Sequence, residues 1–318
     1  LRRRCKIEEK FVRRQALTCD ISSETLQNRK KICKFAAMQE VTKQEQPRWN
    51  GILVEVFSTF ISFCTRHQLR YFCAGGTAIG AVRHQGMIPW DDDIDVALPA
   101  EDFHKLLEIY DLEWSDKYNI INTERDINYP FPTTRIMLNG TQFCEEALAT
   151  LPLDLGIFLD VYCFDNVSDD EREYKKQVND TWFWSHMRIL VDVPHPVILA
   201  GGIKGKLLRA GVVVGRGICK LFRVSTRKMY AREQEARNRY AHVKTKRIAY
   251  MNDTYKWKET YFLDDIFPVR KLEYEGMMVA FPRDLEHQLE LLYGDYMQLP
   301  PVEKRKNHYP ARLDFGPY

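Results

Sequence analysis

No stretch of about 18 consecutive apolar residues occurs in this chain, so no membrane-spanning helix is expected. Its eight cysteines include no Cys-x-x-Cys pair, which argues against a zinc ribbon. No period recurs along the 318 residues, which argues against solenoids and propellers. Excess charge is lacking too. The 47 Lys and Arg face 44 Asp and Glu, a net charge of +3, and no base-stacking motif is present, so a nucleic-acid binder is not expected. The start, Leu1-Arg2-Arg3-Arg4, is basic, but no apolar segment follows it, so no secretory leader is expected. Cysteines inside apolar runs, as in Phe63-Cys64 and Tyr71-Phe72-Cys73, read as buried free thiols of a reducing cytosol.

What the chain does have is ordinary globular material. Hydrophobic residues make up 45%, aromatics 12% and charged residues 29%, which excludes disorder over most of its length. The length suits two modest domains or one large one. Residues 1–46 read as a polar, basic extension with a helix capped by Ser22 or Ser23 and running towards Gln39. Pro47 suits the first turn of the next helix. Ile52, Leu53, Val56, Phe57, Phe60, Ile61 and Cys64 then recur at spacings of three and four, the stripe of a core-facing helix ending near His67.

Tyr71 to Ala74 reads as a short strand, Thr77 to Arg83 as a short helix, and the end of Asp93-Ile94-Asp95-Val96-Ala97-Leu98 as a strand. Ala100 to Tyr110 reads as a helix. Tyr118 to Asn122, Arg135 to Leu138 and Gly156 to Phe164 read as strands. Residues 169–241 read as a helical insertion. A hairpin turns at Glu275-Gly276, between Val269–Tyr274 and Met277–Phe281. Asp284 to Tyr293 is a helix that Gly294 ends. Strands and helices mix without a regular βαβ beat, which favours an α+β fold.

The chemistry concentrates between Gly75 and Asp95. In an extended strand residues two apart share a face, so Asp93 and Asp95 project together while Ile94 and Val96 are buried behind them. Paired carboxylates repel unless a cation lies between them, and an oxygen-only donor set suits Mg²⁺ or Mn²⁺ shared with a substrate phosphate. Gly75-Gly76 at a helix start lets backbone N–H groups approach an anion closely. A bare acidic run is usually a solvated loop. Here the run continues into apolar alternation and follows a double glycine at one helix's distance.

The segment Gly75-Gly76-Thr77-Ala78-Ile79-Gly80-Ala81-Val82-Arg83-His84-Gln85-Gly86-Met87-Ile88-Pro89-Trp90-Asp91-Asp92-Asp93-Ile94-Asp95 closely resembles the signature of the LicD family, which fukutin and fukutin-related protein share. Gly156-Ile157-Phe158-Leu159-Asp160-Val161, residues 267–276 and residues 293–301 are similar in type to further family motifs. Coverage runs from about Trp49 to His308. Ala78 stands where Leu is common, and Cys163 where the family often has Pro.

The resemblance implies a polymerase-beta-like nucleotidyltransferase fold over residues 47–318, with a small mixed sheet flanked by helices. It implies transfer of phosphocholine or a related alcohol phosphate from a CDP-activated donor to a glycan hydroxyl, with release of CMP. The glycan would be a bacterial surface polymer of the lipopolysaccharide, capsule or teichoic acid type. By the same resemblance Asp160 is the third carboxylate of the metal site, as ligand or as base. Gly75, Gly76 and Thr77 form the phosphate loop. Arg83 and His84, one turn beyond it, are candidates for phosphate contact, and Arg135 and Arg270 are weaker ones.

Two other readings stay open: a nucleotidyltransferase that moves NMP and releases pyrophosphate, and a non-catalytic nucleotide-binding scaffold. Residues 201–223 interleave apolar and basic positions with no acid, although glycines weaken a helix there. They suit peripheral contact with an anionic membrane, where a lipid-linked acceptor would be met at the inner face. Residues 303–308 form a basic patch for the diphosphate or the acceptor, or a solvated C-terminal helix. The expected location is cytoplasmic.

Overall fold

A computed structural model describes residues 45–114, 116–193, 202–254, 256–301, 305 and 310–318. The helix expected before Gln39 lies outside the described residues. Helix α1 spans Gln46–His67 with Pro47 in its first turn. It buries Trp49, Ile52, Leu53, Val56, Phe57, Phe60, Phe63 and Cys64. Each fully buried large side chain contributes about 1.5–3 kcal/mol, so this stripe anchors the core. Gln68 ends the helix in the left-handed region, its N–H turned back to the carbonyls of Cys64 and Thr65.

Strand β1 is Phe72–Cys73, helix α2 is Gly75–His84 and strand β2 is Asp95–Pro99. Helix α3 (Ala100–Glu113) is followed by β3 (Tyr118–Ile121), β4 (Thr134–Leu138), β5 (Gln142–Glu145) and the long β6 (Phe158–Val167). Three helices form the insertion: α4 (Glu171–Asp192), α5 (Gly202–Leu221) and α6 (Thr226–Arg237). The Asp170 carboxylate caps α4, accepting the N–H groups of Arg172 and Glu173. Then come β7 (Arg247–Ala249), β8 (Thr260–Phe262), the hairpin of β9 (Arg270–Tyr274) and β10 (Met277–Phe281), helix α7 (Leu285–Tyr293) and β11 (Pro310–Asp314).

The main sheet is mixed and runs β1-β2-β6-β4-β3, with β7 and β8 continuing from the far end of β6. Strands β2 and β6 are parallel, in a register that sets Asp95 opposite Asp160 and Ala97 opposite Tyr162. The other pairs of this sheet are antiparallel. Alternation along these strands separates two faces. Val96, Leu98, Val161 and Cys163 enter the main core with α1. Asp95, Asp160 and Tyr162 share the opposite face, where Phe72, Ala97, Phe164, Tyr250 and Tyr261 make a second, aromatic cluster.

The α+β reading and the mixed sheet flanked by helices are present among the described residues, and three helices fall within residues 169–241. Strands β5, β7, β8 and β11 were not expected. They have three to five residues each, too short to display a period, and β11 opens on a proline. The C-terminal segment Pro310–Asp314 is a strand on β5. Of residues 303–308 only Arg305 is described. Among the described residues no helix is long and apolar enough to cross a membrane. Cys64, Cys73, Cys144, Cys163 and Cys219 are buried free thiols, as their apolar settings suggested.

Candidate active site

The parallel β2–β6 pair brings the separate carboxylates together. Asp93 lies two residues before β2 begins at Asp95, and Asp160 is the register partner of Asp95 on β6. One carboxylate oxygen from each of the three lies within 4.8 Å of the others. Asp91, Asp92 and Asp93 form a second group of the same compactness. The acidic loop is held from behind, because the indole N–H of buried Trp49 donates to the Asp92 carbonyl at 3.1 Å. The N–H of Asp160 donates to the Ile94 carbonyl at 3.1 Å, which fixes the two strand starts against each other.

The double glycine has a steric reason. Gly75 has φ +57°, and a Cβ there would lie 2.4 Å from Asp95 Oδ2. A Cβ on Gly76 would lie 2.5 Å from Asp91 Oδ2. A side chain at either glycine would therefore displace a carboxylate. Thr77 is buried, and its hydroxyl accepts the Asp95 N–H at 2.8 Å. It orients the strand start.

Arg135, read in the sequence as a weaker candidate for phosphate contact, is engaged within the protein. It projects from β4 opposite Asp160, buried, with Nε 3.2 Å from Asp160 Oδ1. Its two terminal nitrogens donate to the Glu145 carboxylate at 2.9 and 2.6 Å, and its guanidinium lies 3.7 Å from the centre of the Phe158 ring. The flanking carboxylates hold it charged, with its pKa well above the ordinary arginine value despite desolvation. It is a tether for Asp160, not a free phosphate clamp. Glu145, on the unexpected strand β5, completes that tether, and nothing in the local sequence marked it.

Arg83 and His84 end α2 beside Trp90. Arg83 Nη1 donates to the Tyr296 carbonyl at 2.9 Å, and Nε donates to His84 Nε2 at 3.0 Å. Arg305 stacks on Trp90 with its guanidinium 4.0 Å from the ring centre, and Arg83 approaches the same ring at 5.8 Å. Desolvation and the charge of Arg305 lower the Arg83 pKa, while Asp91 opposes them; desolvation and Arg83 lower that of His84. This is a basic cluster beside the acidic loop, the polarity a phosphate chain requires. Arg305 came from the basic patch of the tail, and Trp90 is the residue that gathers it to Arg83. Arg270 is placed differently. It lies on β9 and pairs with Glu286 of α7 at 2.5 Å, so it ties the hairpin to the helix.

Glu275, at the hairpin turn, links this second layer to the site. Its Oε1 accepts the Met87 N–H at 2.8 Å, and its own N–H donates to the Gln85 carbonyl. A Cβ on Gly86 would lie 2.3 Å from that carboxylate oxygen. The hairpin thus fixes the turn that leads from α2 into the acidic loop.

The residues present fit a divalent cation. Their donors are hard carboxylate oxygens, close enough to share one ion, with glycine backbone on the open side and an arginine tether behind Asp160.

Comparison with known proteins agrees with the resemblance. The family described as LicD/FKTN/FKRP, nucleotidyltransferase domain, matches residues 68–143, the span that holds Gly75, Asp93, Asp95 and Arg135. A lipopolysaccharide cholinephosphotransferase, LicD, of Haemophilus influenzae is 27% identical over 278 residues, covering 86% of this chain and 97% of the relative. An uncharacterized protein of Rickettsia prowazekii is 39% identical over 64 residues, 18% of this chain and 24% of that protein. Another from Rickettsia typhi is 50% identical over 38 residues, 12% of each. The LicD resemblance read from the acidic signature is borne out.

Proposed function

We propose that this chain is a phosphotransferase of the LicD type with a polymerase-beta-like nucleotidyltransferase fold. It moves phosphocholine from a CDP-activated donor to a hydroxyl of a lipopolysaccharide-type glycan and releases CMP. The observation that carries the reading is the meeting of Asp93, Asp95 and Asp160 oxygens within 4.8 Å behind the double glycine. The Haemophilus relative, matched over nearly its whole length, supplies the transferred group and the acceptor class.

Asp93, Asp95 and Asp160 would hold Mg²⁺ or Mn²⁺, which when bound supplies positive charge to the phosphoryl oxygens. Arg135 and Glu145 keep Asp160 in place. The acceptor hydroxyl oxygen attacks the phosphorus that carries choline, and the bond to the bridging oxygen breaks. The electron pair leaves with CMP and the hydroxyl proton passes to solvent. The Arg83, His84 and Arg305 cluster balances the negative charge of the diphosphate. With Asp160 tethered among the other carboxylates, we assign it as a ligand rather than a base.

The acceptor side rests on α5. The helix meets α4 through Arg216, whose Nε donates to the Leu190 carbonyl at 2.7 Å, through Gly215 beside the Leu190 side chain, and through buried Cys219. Ile203, Leu207, Val214, Ile218 and Leu221 lie on the other side and are exposed. Residues 202–223 contain no acid and several cations, among them Lys206, Arg209 and Lys220. An exposed apolar stripe edged by cations suits the interface of an anionic membrane, where a lipid-linked glycan would be presented. Flotation with phosphatidylglycerol vesicles at low salt should carry the protein upward, and Leu207→Glu should abolish this. No flotation of the unaltered protein would remove the membrane contact from the reading.

The transfer is tested by product analysis. Incubation with CDP-choline, Mn²⁺ and lipopolysaccharide should release CMP and label the glycan. Release of pyrophosphate from an NTP, with no CMP from CDP-choline, would favour NMP transfer. Nucleotide binding with no product of either kind would favour a scaffold.

A further inference from the structure

Beside Asp95 the aromatic face of the sheet opens into a cavity of about 120 Å³. Tyr162, Phe164, Tyr250 and Tyr293 wall it, with Asp253 and Glu259 among its lining. The strand period explains the first two walls. Tyr162 and Phe164 lie two and four residues beyond Asp160 on β6, so they continue the face that carries the carboxylates. Tyr250 follows β7. Its ring centre lies 4.9 Å from that of Tyr162 at an interplanar angle of 85°, which makes a corner of two ring faces. Tyr293 closes the cavity from the end of α7.

The lining is aromatic and acidic, and no lysine or arginine contributes to it among the described residues. Burial pushes the Glu259 carboxyl up to about 7, and its Oε2 accepts the Tyr261 hydroxyl at 2.6 Å. A cation entering the cavity would favour the ionised form of this carboxyl. Ring faces attract a cation through their quadrupole, and a quaternary ammonium, which has no N–H to donate, is held by faces and diffuse negative charge rather than by hydrogen bonds. A neutral polyol would instead require several donors and acceptors at fixed positions.

We propose that this cavity holds the quaternary ammonium of the donor, and that Tyr162, Tyr250 and Tyr293 set the preference for choline over neutral alcohols. The proposal rests on the phosphocholine-transfer reading and names the residues that would select the group.

The test compares CDP, CDP-choline and CDP-glycerol by calorimetry with Mn²⁺ present. The unaltered protein should bind CDP-choline about tenfold more tightly than CDP-glycerol. Tyr293→Leu should abolish that preference and leave the Kd for CDP unchanged, whereas Tyr293→Phe, which keeps the ring face, should retain it. Tyr293 is 47% exposed, so its loss does not open the core. Tyr162→Leu, with folding checked by circular dichroism, should have the same effect. Equal affinities for the two donors in the unaltered protein, or a preference that survives both leucine variants, would overturn the pocket while leaving the CDP-donor reading standing. Absence of binding by CDP and by both donors would overturn the underlying reading and the pocket with it.

Discussion

Asp160 and Asp165 lie five residues apart on one strand, and each has an arginine partner, yet they serve different ends. Asp165 pairs with Arg237 of α6, next to the Cys163 thiol. Behind it the Arg188–Glu233 pair is almost fully buried at 3.4 Å. In that region Asp165 and Glu233 face Arg237 and Arg188, and Asp192 also lies within reach of Arg188. Asp160 has Arg135, but Arg135 also serves Glu145, and Asp93 and Asp95 crowd close to Asp160. A matched pair in the interior holds structure together, and breaking it is costly. Carboxylates crowded against carboxylates oppose folding until a cation joins them. Odd spacing on β6 turns the two aspartates to opposite faces, so one belongs to the helical insertion and the other to the site.

The comparison breaks most visibly at the crowded end. Asn at position 93, 95 or 160 should lower CMP release by at least about a thousandfold, the upper end for losing one charge-stabilising group. For Asp93→Asn and Asp95→Asn the melting temperature measured without metal should hold or rise, because repulsion is relieved. Asp165→Asn should do the reverse. Denaturant unfolding should show a loss of about 3–5 kcal/mol, the cost of leaving Arg237 without its partner, while Mn²⁺ affinity stays the same. A loss of metal affinity in Asp165→Asn would erase the distinction between the two aspartates.

Smaller effects sharpen it. Arg135→Gln or Glu145→Gln should weaken Mn²⁺ binding and turnover about 10–100-fold, as expected for groups that orient a metal ligand. Gly75→Ala should cost about 1–2 kcal/mol for its left-handed backbone, and should also lower Mn²⁺ affinity, because its Cβ would push Asp95 aside. A further effect is a pH dependence. The Glu259 carboxyl is raised in the folded chain from 4.5 to about 7, so the folded state binds its proton more tightly than the unfolded one. Its contribution to stability is complete below 4.5 and is lost as pH rises through 7. Glu259→Gln should flatten the stability profile across that window.

Much of this was legible in the sequence because the informative residues are close together in the chain. The α1 stripe has helical spacing, and Asp93 and Asp95 follow the period of a strand entering the core. The double glycine announced a close approach, although not that the approaching groups are the chain's own carboxylates. What the sequence could not display depends on register. The Arg135–Asp160 pairing arises only when β4 lies antiparallel to β6, and Glu145 joins it from a four-residue strand. The bond from the Asp95 N–H to the Thr77 hydroxyl spans 18 residues and has no local signal. Likewise the aromatic corner unites β6 with residues 250 and 293, whose separation leaves no local motif.

The central claim is that Asp93, Asp95 and Asp160 together hold a divalent cation, and Mn²⁺ titration followed by electron paramagnetic resonance tests it most directly. The unaltered protein should quench the free-ion signal, with Asp95→Asn and Asp160→Asn each losing that binding and Asp165→Asn keeping it. Equal Mn²⁺ binding by all four proteins, or none by the unaltered one, would contradict the claim.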